Sequence, residues 1–189
     1  MADKKNLPKI LKLEMGFPCY NAVHKMGAEA GDDVVLVNAS EILGIMCRVP
    51  EGKLISIVEI CKSIAKKHKV KACCSLTTGI FIMTIANAVE EMKSEGKRNG
   101  TPYWRTIKAD GSLNDKFPGG AAAQKKRLEK EGFRVLQKGK RHWVEDYQNH
   151  IWKGGKPWRI QSTVRRNAVL RSTRLGGTEK HSSGKTSPL

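Results

Sequence analysis

Long apolar runs are missing from this sequence of 189 residues. The most densely apolar charge-free stretch, residues 79–89 (GIFIMTIANAV), is about half of what a membrane-spanning helix needs, so no membrane segment is expected. The start of the chain lacks the apolar core of a secretory signal, because Lys4, Lys5, Lys9, Lys12 and Glu14 interrupt it. Cysteines are few, odd in number at five and irregularly spaced, which argues against a disulfide framework and for a reduced compartment. A cytoplasmic location is expected, at the nucleoid in a bacterium or archaeon and in the nucleus in a eukaryote. Cys61, His68, Cys73 and Cys74 match no zinc spacing, so neither a metal nor another cofactor is expected. Acidic residues are also scarce, with 18 Asp and Glu against 35 Lys and Arg, a formal charge of +17.

What is present is enough for one hydrophobic core, since 39% of the residues are apolar. The cation surplus points to a polyanion, because neutralising phosphates releases condensed counterions and stabilises the complex. That surplus is unevenly spread: residues 154–189 carry eight Lys and Arg against Glu179, a net of +7, which leaves +10 on the first 153. The segment is rich in Gly, Ser and Thr and poor in clustered apolar residues, so a flexible basic tail is expected over 151–189. An N-terminal segment, 1–37, and a folded domain, 38–150, precede it.

The folded part reads as mainly α with small β elements. Asn38 with Glu41 and Ser56 with Glu59 are capping-box patterns, predicting helices near 39–48 and 57–68 with a Pro50–Gly52 turn between them. Thr77 or Thr78 is expected to cap a third helix striped by Phe81, Ile85, Ala88 and Met92. Two helices joined by a short turn suggest a helix-turn-helix within a winged-helix-like domain. Residues 93–101 read as a basic loop and 102–113 as a short strand running into a turn at Asp110 and Gly111. A fourth helix fits 121–131 with Gly132 as its stop, and 133–137 with 141–144 read as a C-terminal hairpin.

One order of short motifs is more specific. Val49, Pro50 and Gly52 are followed by Pro102, Tyr103, Trp104 and Arg105, then Gly119 and Gly120, then Glu131 and Gly132. Over roughly residues 38–137 this resembles the DNA-binding domain of the alkylguanine-DNA alkyltransferase family (methylated-DNA-[protein]-cysteine methyltransferases). In that family a cysteine thiolate takes the alkyl group of a flipped guanine, and a histidine backed by a glutamate removes its proton. Tyr103 stands in place of the cysteine and Trp104 in place of the histidine. A phenol with a pKa near 10 is a poor nucleophile and an indole N–H cannot accept a proton, so the family's methyl transfer is expected to be absent, with Glu131 left nothing to orient.

The chain is similar in this respect to the alkyltransferase-like branch, which lacks the cysteine and binds alkylated guanine in DNA repair. The resemblance implies a base pocket of Pro102, Tyr103, Trp104, Arg105, Phe117, Pro118 and Gly119, with aromatic faces to stack on an extruded base. Read from the residues alone, Tyr103 and Trp104 have the alternative of being core residues at a strand end. Thr78, Thr84 and Asn87 on the recognition helix, Lys93, Lys97 and Arg98 in the basic loop, and Lys125 are the expected DNA contacts. Lys125 is also compatible with a plain solvated helix face. Two departures bear on base flipping: Ile57 and Thr78 stand where the family places a tyrosine and an arginine. Ile80, Ile82 and Met83 make the recognition helix apolar, which suits either burial or a wedge between base steps. Cys73 and Cys74, at a helix start, are either a relocated nucleophile or small apolar core residues. Double-stranded DNA with alkylated guanine, and a repair factor, are the expected partners of a monomer. The alternatives are a general DNA-binding module and a methyltransferase using another cysteine.

Overall fold

Asn38 and Ser56 do what their patterns predict. In the computed structural model, which describes residues 8–97 and 100–154, Asn38 Oδ1 accepts the Glu41 N–H at 3.0 Å and Ser56 Oγ accepts that of Glu59 at 3.2 Å. They start helices α2 (Ala39–Met46) and α3 (Ile57–His68). Helix α3 ends at Lys69, held in the left-handed region at φ 56°, which costs a non-glycine residue about 1–2 kcal/mol. Backbone hydrogen bonds from Lys69 and Val70 to Lys66 and Ala65 close that turn. The next long helix, α4 (Ser75–Ser94), begins earlier than expected, because Cys74 rather than Thr77 or Thr78 is its cap. The Cys74 sulfur accepts the Thr77 N–H at 3.5 Å and the Thr77 hydroxyl at 3.2 Å.

Helices α2, α3 and α4 pack on one another around Ile42, Met46, Ile60, Ile64, Ile82 and Val89. After α4 the expected strand is mostly a single 3-10 turn, Tyr103–Arg105, leading into the two-residue strand Thr106–Ile107, which pairs in parallel with Ile55–Ser56. Helix α5 (Gly120–Lys130) stops at Gly132, whose φ of 86° suits only glycine, and the hairpin follows as Val135–Lys138 paired with Arg141–Val144. A second cluster, around Leu54, Leu113, Leu128, Phe133 and Val144, joins α5 to the hairpin. The fold is therefore mainly helical with small sheets, a helix-turn-helix followed by a C-terminal hairpin.

The ends of the expected domain are drawn differently. Within the segment assigned to 1–37, strand Lys9–Lys12, helix α1 (Tyr20–His24) and strand Asp33–Leu36 form a unit around Leu13, Val23 and Val34. Its second strand pairs antiparallel with the first and parallel with Ala72–Cys73, at the helix-turn-helix turn, so a break at residue 38 would cut a sheet. At the other end, Ile151 bridges to Leu54 and the Trp152 N–H reaches the Leu54 carbonyl at 2.7 Å, which places the first residues of the expected tail on the domain. The described residues up to Gly154 belong to one unit; the rest of the expected tail lies outside the described residues.

Candidate nucleic-acid interface

The phase of α4 follows from its start at Ser75. Thr78, Ile82, Ile85, Ala86 and Val89 turn inward, while Leu76, Ile80, Thr84 and Asn87, spaced four, four and three residues apart, lie exposed on one face. Leu76 is 50% and Ile80 58% exposed, which is unusual for large apolar side chains. Thr84 and Asn87 are thus on the outer face, as expected of contact residues. Thr78 is not: it is fully buried, its hydroxyl donates to the Cys74 carbonyl at 2.9 Å, and the Cys61 and Cys73 sulfurs lie 3.5 and 3.4 Å away. The alternatives for Ile82 and Ile80 separate in the same way, the first buried and the second free. Lys93 and Lys97 are exposed at the end of α4, Lys97 paired with Glu95, and Arg98 lies outside the described residues. Lys125 is half-buried on α5 and sits 3.7 Å from Glu129.

Tyr103 is a core residue. It is 2% exposed, with Phe117 and Trp104 edge-on to its ring at centroid distances of 5.2 and 5.7 Å. The Arg127 guanidinium lies 5.1 Å from the Tyr103 centroid and 4.9 Å from that of Trp104. Glu90 holds the group together, accepting from Arg127 at 2.6 Å and from the Tyr103 hydroxyl at 3.1 Å. Burial, aided by the Glu90 carboxylate and opposed by Arg127, pushes the phenol up to about 12. Burial alone would raise the Glu90 carboxyl, but the Arg127 contact outweighs it and keeps the carboxyl below its ordinary range. The ring of Tyr103 therefore presents no open face to a base. Trp104, half-buried, keeps part of its surface, and the Arg127 guanidinium lies beside its ring. Pro102 and Phe117 are buried, Pro118 is half-buried, and Gly119 caps α5 with φ 75°.

Glu131 has two partners to hold, contrary to the expectation. It accepts the Trp104 indole N–H at 2.7 Å and three contacts from Arg105 at 2.8–3.1 Å, while Arg105 Nη1 donates to the Val49 carbonyl at 2.7 Å. The proline turn, the 3-10 turn and the end of α5 are thereby fastened through one guanidinium and one carboxylate. Gln124, which no motif marks, does comparable work from the middle of α5. Its amide donates to the Trp104 and Thr106 carbonyls at 2.8 and 2.9 Å and its oxygen accepts the Asn114 N–H at 2.8 Å. A polar residue on the apolar side of a helix was the available signal.

Cys73 and Cys74 are buried, and the contact with the neighbouring Cys61, aided by burial, pushes the Cys73 thiol far above its ordinary value. They pack as small apolar residues. Cys47 is the exposed thiol, 3.3 Å from the Thr101 hydroxyl. Among the described residues, no group of three His, Cys, Asp or Glu side chains is placed to hold a metal ion, and no helix is long and apolar enough to cross a membrane.

Fold and surface together define a helix-turn-helix domain with an outward-facing second helix and a centre that carries aromatic residues. No protein-family model and no curated protein matches the chain. Two solved structures are similar to it. One is S. pombe Atl1 in complex with damaged DNA containing O6-carboxymethylguanine, at 20% identity and a TM-score of 0.45, covering 61% of this chain and 94% of that one. The other is S. pombe ATL in complex with DNA, at 20% identity and a TM-score of 0.46, with the same coverage.

Proposed function

We propose that this protein binds double-stranded DNA through the helix-turn-helix and transfers no alkyl group. The observation that carries the reading is the free face of α4, where Leu76, Ile80, Thr84 and Asn87 stand in one line on a chain of charge +17. Hydroxyl and amide side chains read base edges, and apolar side chains at the head of such a helix wedge between base steps. The positive end of the α4 dipole favours a phosphate near Ser75. Against transfer stand the buried phenol of Tyr103, the indole of Trp104 in place of a base, and the inert packing of Cys73 and Cys74.

The finer reading is recognition of alkylated guanine in DNA repair. The guanidinium of Arg127 lies about 5 Å from the centroids of both aromatic rings, where it covers the exposed side of Trp104, and its anchor Glu90 is itself part-exposed. A base would enter only by displacing Arg127 and would then stack on Trp104. The experiment is a fluorescence-anisotropy titration of the full chain against a duplex carrying one guanine alkylated at O6 and against its unmodified twin. Tighter binding to the lesion duplex, with the preference increased by Arg127→Ala, supports the finer reading. Equal affinity for the two duplexes leaves a general DNA-binding module, and no binding to either overturns the proposal.

A further inference from the structure

The hairpin carries a basic arrangement that the helix-turn-helix does not use. Lys138 and Arg141 are directly opposite partners in the Val135–Lys138 and Arg141–Val144 ladder, and Leu136 and Trp143 are the next pair on the same face. Side chains directly opposite in an antiparallel ladder have Cβ atoms about 4.5–5.5 Å apart, and like charges there destabilise the pairing. Asp110 relieves Arg141 by an ion pair, but its carboxylate is also held by the Ser112 N–H at 3.0 Å and hydroxyl at 2.6 Å. Asp115 is taken by Lys108 at 3.1 Å. Lys138 and the turn residue Lys140 make no ion pair among the described residues, and both are exposed. Two cations are therefore left without a counter-charge beside a third.

These side chains line a cleft rather than a convex surface. One hollow of about 440 Å³ is bounded by Asp110, Ser112, Lys138, Arg141 and Trp143, and a neighbouring one of about 620 Å³ by Lys108, Asp115, Lys138, Lys140 and Arg141. Lys108 and Asp115 also border a third hollow, of about 420 Å³, that runs along Leu76, Ile80 and Met83 of α4. The groove thus continues from the free face of α4 to the hairpin. Its walls are fixed to each other. The Leu113 N–H bonds the His142 carbonyl and the Val144 N–H bonds the Gly111 carbonyl, so residues 111–113 lie along the hairpin edge. On the other side the Asn114 amide reaches the Met83 sulfur at 3.6 Å.

We propose that this groove is a second DNA-binding site, a phosphodiester track in which Lys138, Lys140 and Arg141 hold backbone phosphates while the Leu136–Trp143 step packs against the sugars. It rests on the reading of α4 as a DNA-facing helix and extends the contact to a part of the protein outside the helix-turn-helix. With its cations engaged by phosphates, the track adds affinity and register rather than sequence preference.

The test uses the full chain and a fluorescein-labelled duplex of unmodified sequence, with affinity measured over a series of salt concentrations. Lys138→Gln with Lys140→Gln removes two exposed charges that make no ion pair in the fold, and Arg141→Gln is the second variant. A phosphate contact contributes about −0.9 to the slope of log affinity against log salt, so the double variant is expected to flatten the slope by about 2 and Arg141→Gln by about 1. Asn87→Glu, on the free face of α4, serves as the control. A slope unchanged in both hairpin variants, with binding weakened by Asn87→Glu, overturns the track and leaves the reading of α4 standing. Absence of DNA binding by the unaltered protein overturns both.

Discussion

Glu131→Ala is the perturbation whose cost follows most directly from the geometry. The Glu131 and Arg105 side chains are 9% and 13% exposed, and the carboxylate receives one contact from Trp104 and three from Arg105. Removing it leaves a nearly buried guanidinium with the Val49 carbonyl as its remaining partner and an indole N–H unpaired. Breaking one side of a buried pair costs about 3–5 kcal/mol, most of it the desolvation of the charge left behind. For a domain of this size that corresponds to roughly 6–20 °C in melting temperature. Urea unfolding followed by far-ultraviolet circular dichroism measures it, provided the slope against denaturant is unchanged. The combined Arg105→Met and Glu131→Leu variant removes both charges and is expected to lose less than Glu131→Ala alone. A loss below about 1 kcal/mol for Glu131→Ala, or a double variant worse than the single, refutes the assignment of Glu131 as the clamp on Arg105.

Gln124→Leu leaves two backbone carbonyls and one backbone N–H without their partner. At about 1–3 kcal/mol for each stranded group, not fully additive, the variant is expected to lose several kcal/mol in the same unfolding assay. Gly111→Ala introduces a methyl that collides with the Tyr147 ring at a residue with φ 79°, and a loss of more than about 1 kcal/mol is expected. Burial raises the Tyr103 phenol from 10.0 to about 12, so the stability it contributes is complete below pH 10.0 and is lost as pH rises towards about 12. Phenolate absorbance should show one tyrosine ionising only as the protein unfolds. On the acid side, burial would raise the Glu41 carboxyl, but Lys67 and His68 outweigh it and hold it low. Its contribution is present above the unfolded value of 4.5 and fades as pH falls through the lower folded value, an effect that Glu41→Gln should remove from the pH profile of stability.

Local signals in the sequence carried the helices well and their partners poorly. Asn38 and Ser56 are strong caps followed by periodic apolar residues, so α2 and α3 were legible almost to the residue. The start of α4 was not, because a thiol is a weak and uncommon cap, and that displacement changes which side chains are assigned inward. Thr78, which the resemblance puts on the DNA side in place of an arginine, faces inward, and Leu76 faces outward. The N-terminal sheet was invisible because its strands are four residues long and one neighbour, Ala72–Cys73, lies more than thirty positions away. At the centre, adjacency in sequence marked Tyr103, Trp104 and Arg105 as a group. Whether the aromatics lined a pocket or filled a core depended on Glu90, Arg127 and Gln124, which come from two helices and carry no motif. The charge surplus points to a polyanion from the sequence alone, but the opposition of Lys138 to Arg141 requires the register of the hairpin.

The central claim is that this protein holds DNA without reacting with it. The direct measurement is to incubate the full chain with an excess of duplex carrying guanine alkylated at O6, record binding by anisotropy, and then weigh the protein by intact mass spectrometry. Salt-sensitive binding with an unchanged protein mass is the predicted result. A mass increase equal to the transferred alkyl group, or a chain that binds no duplex at low salt, would contradict it.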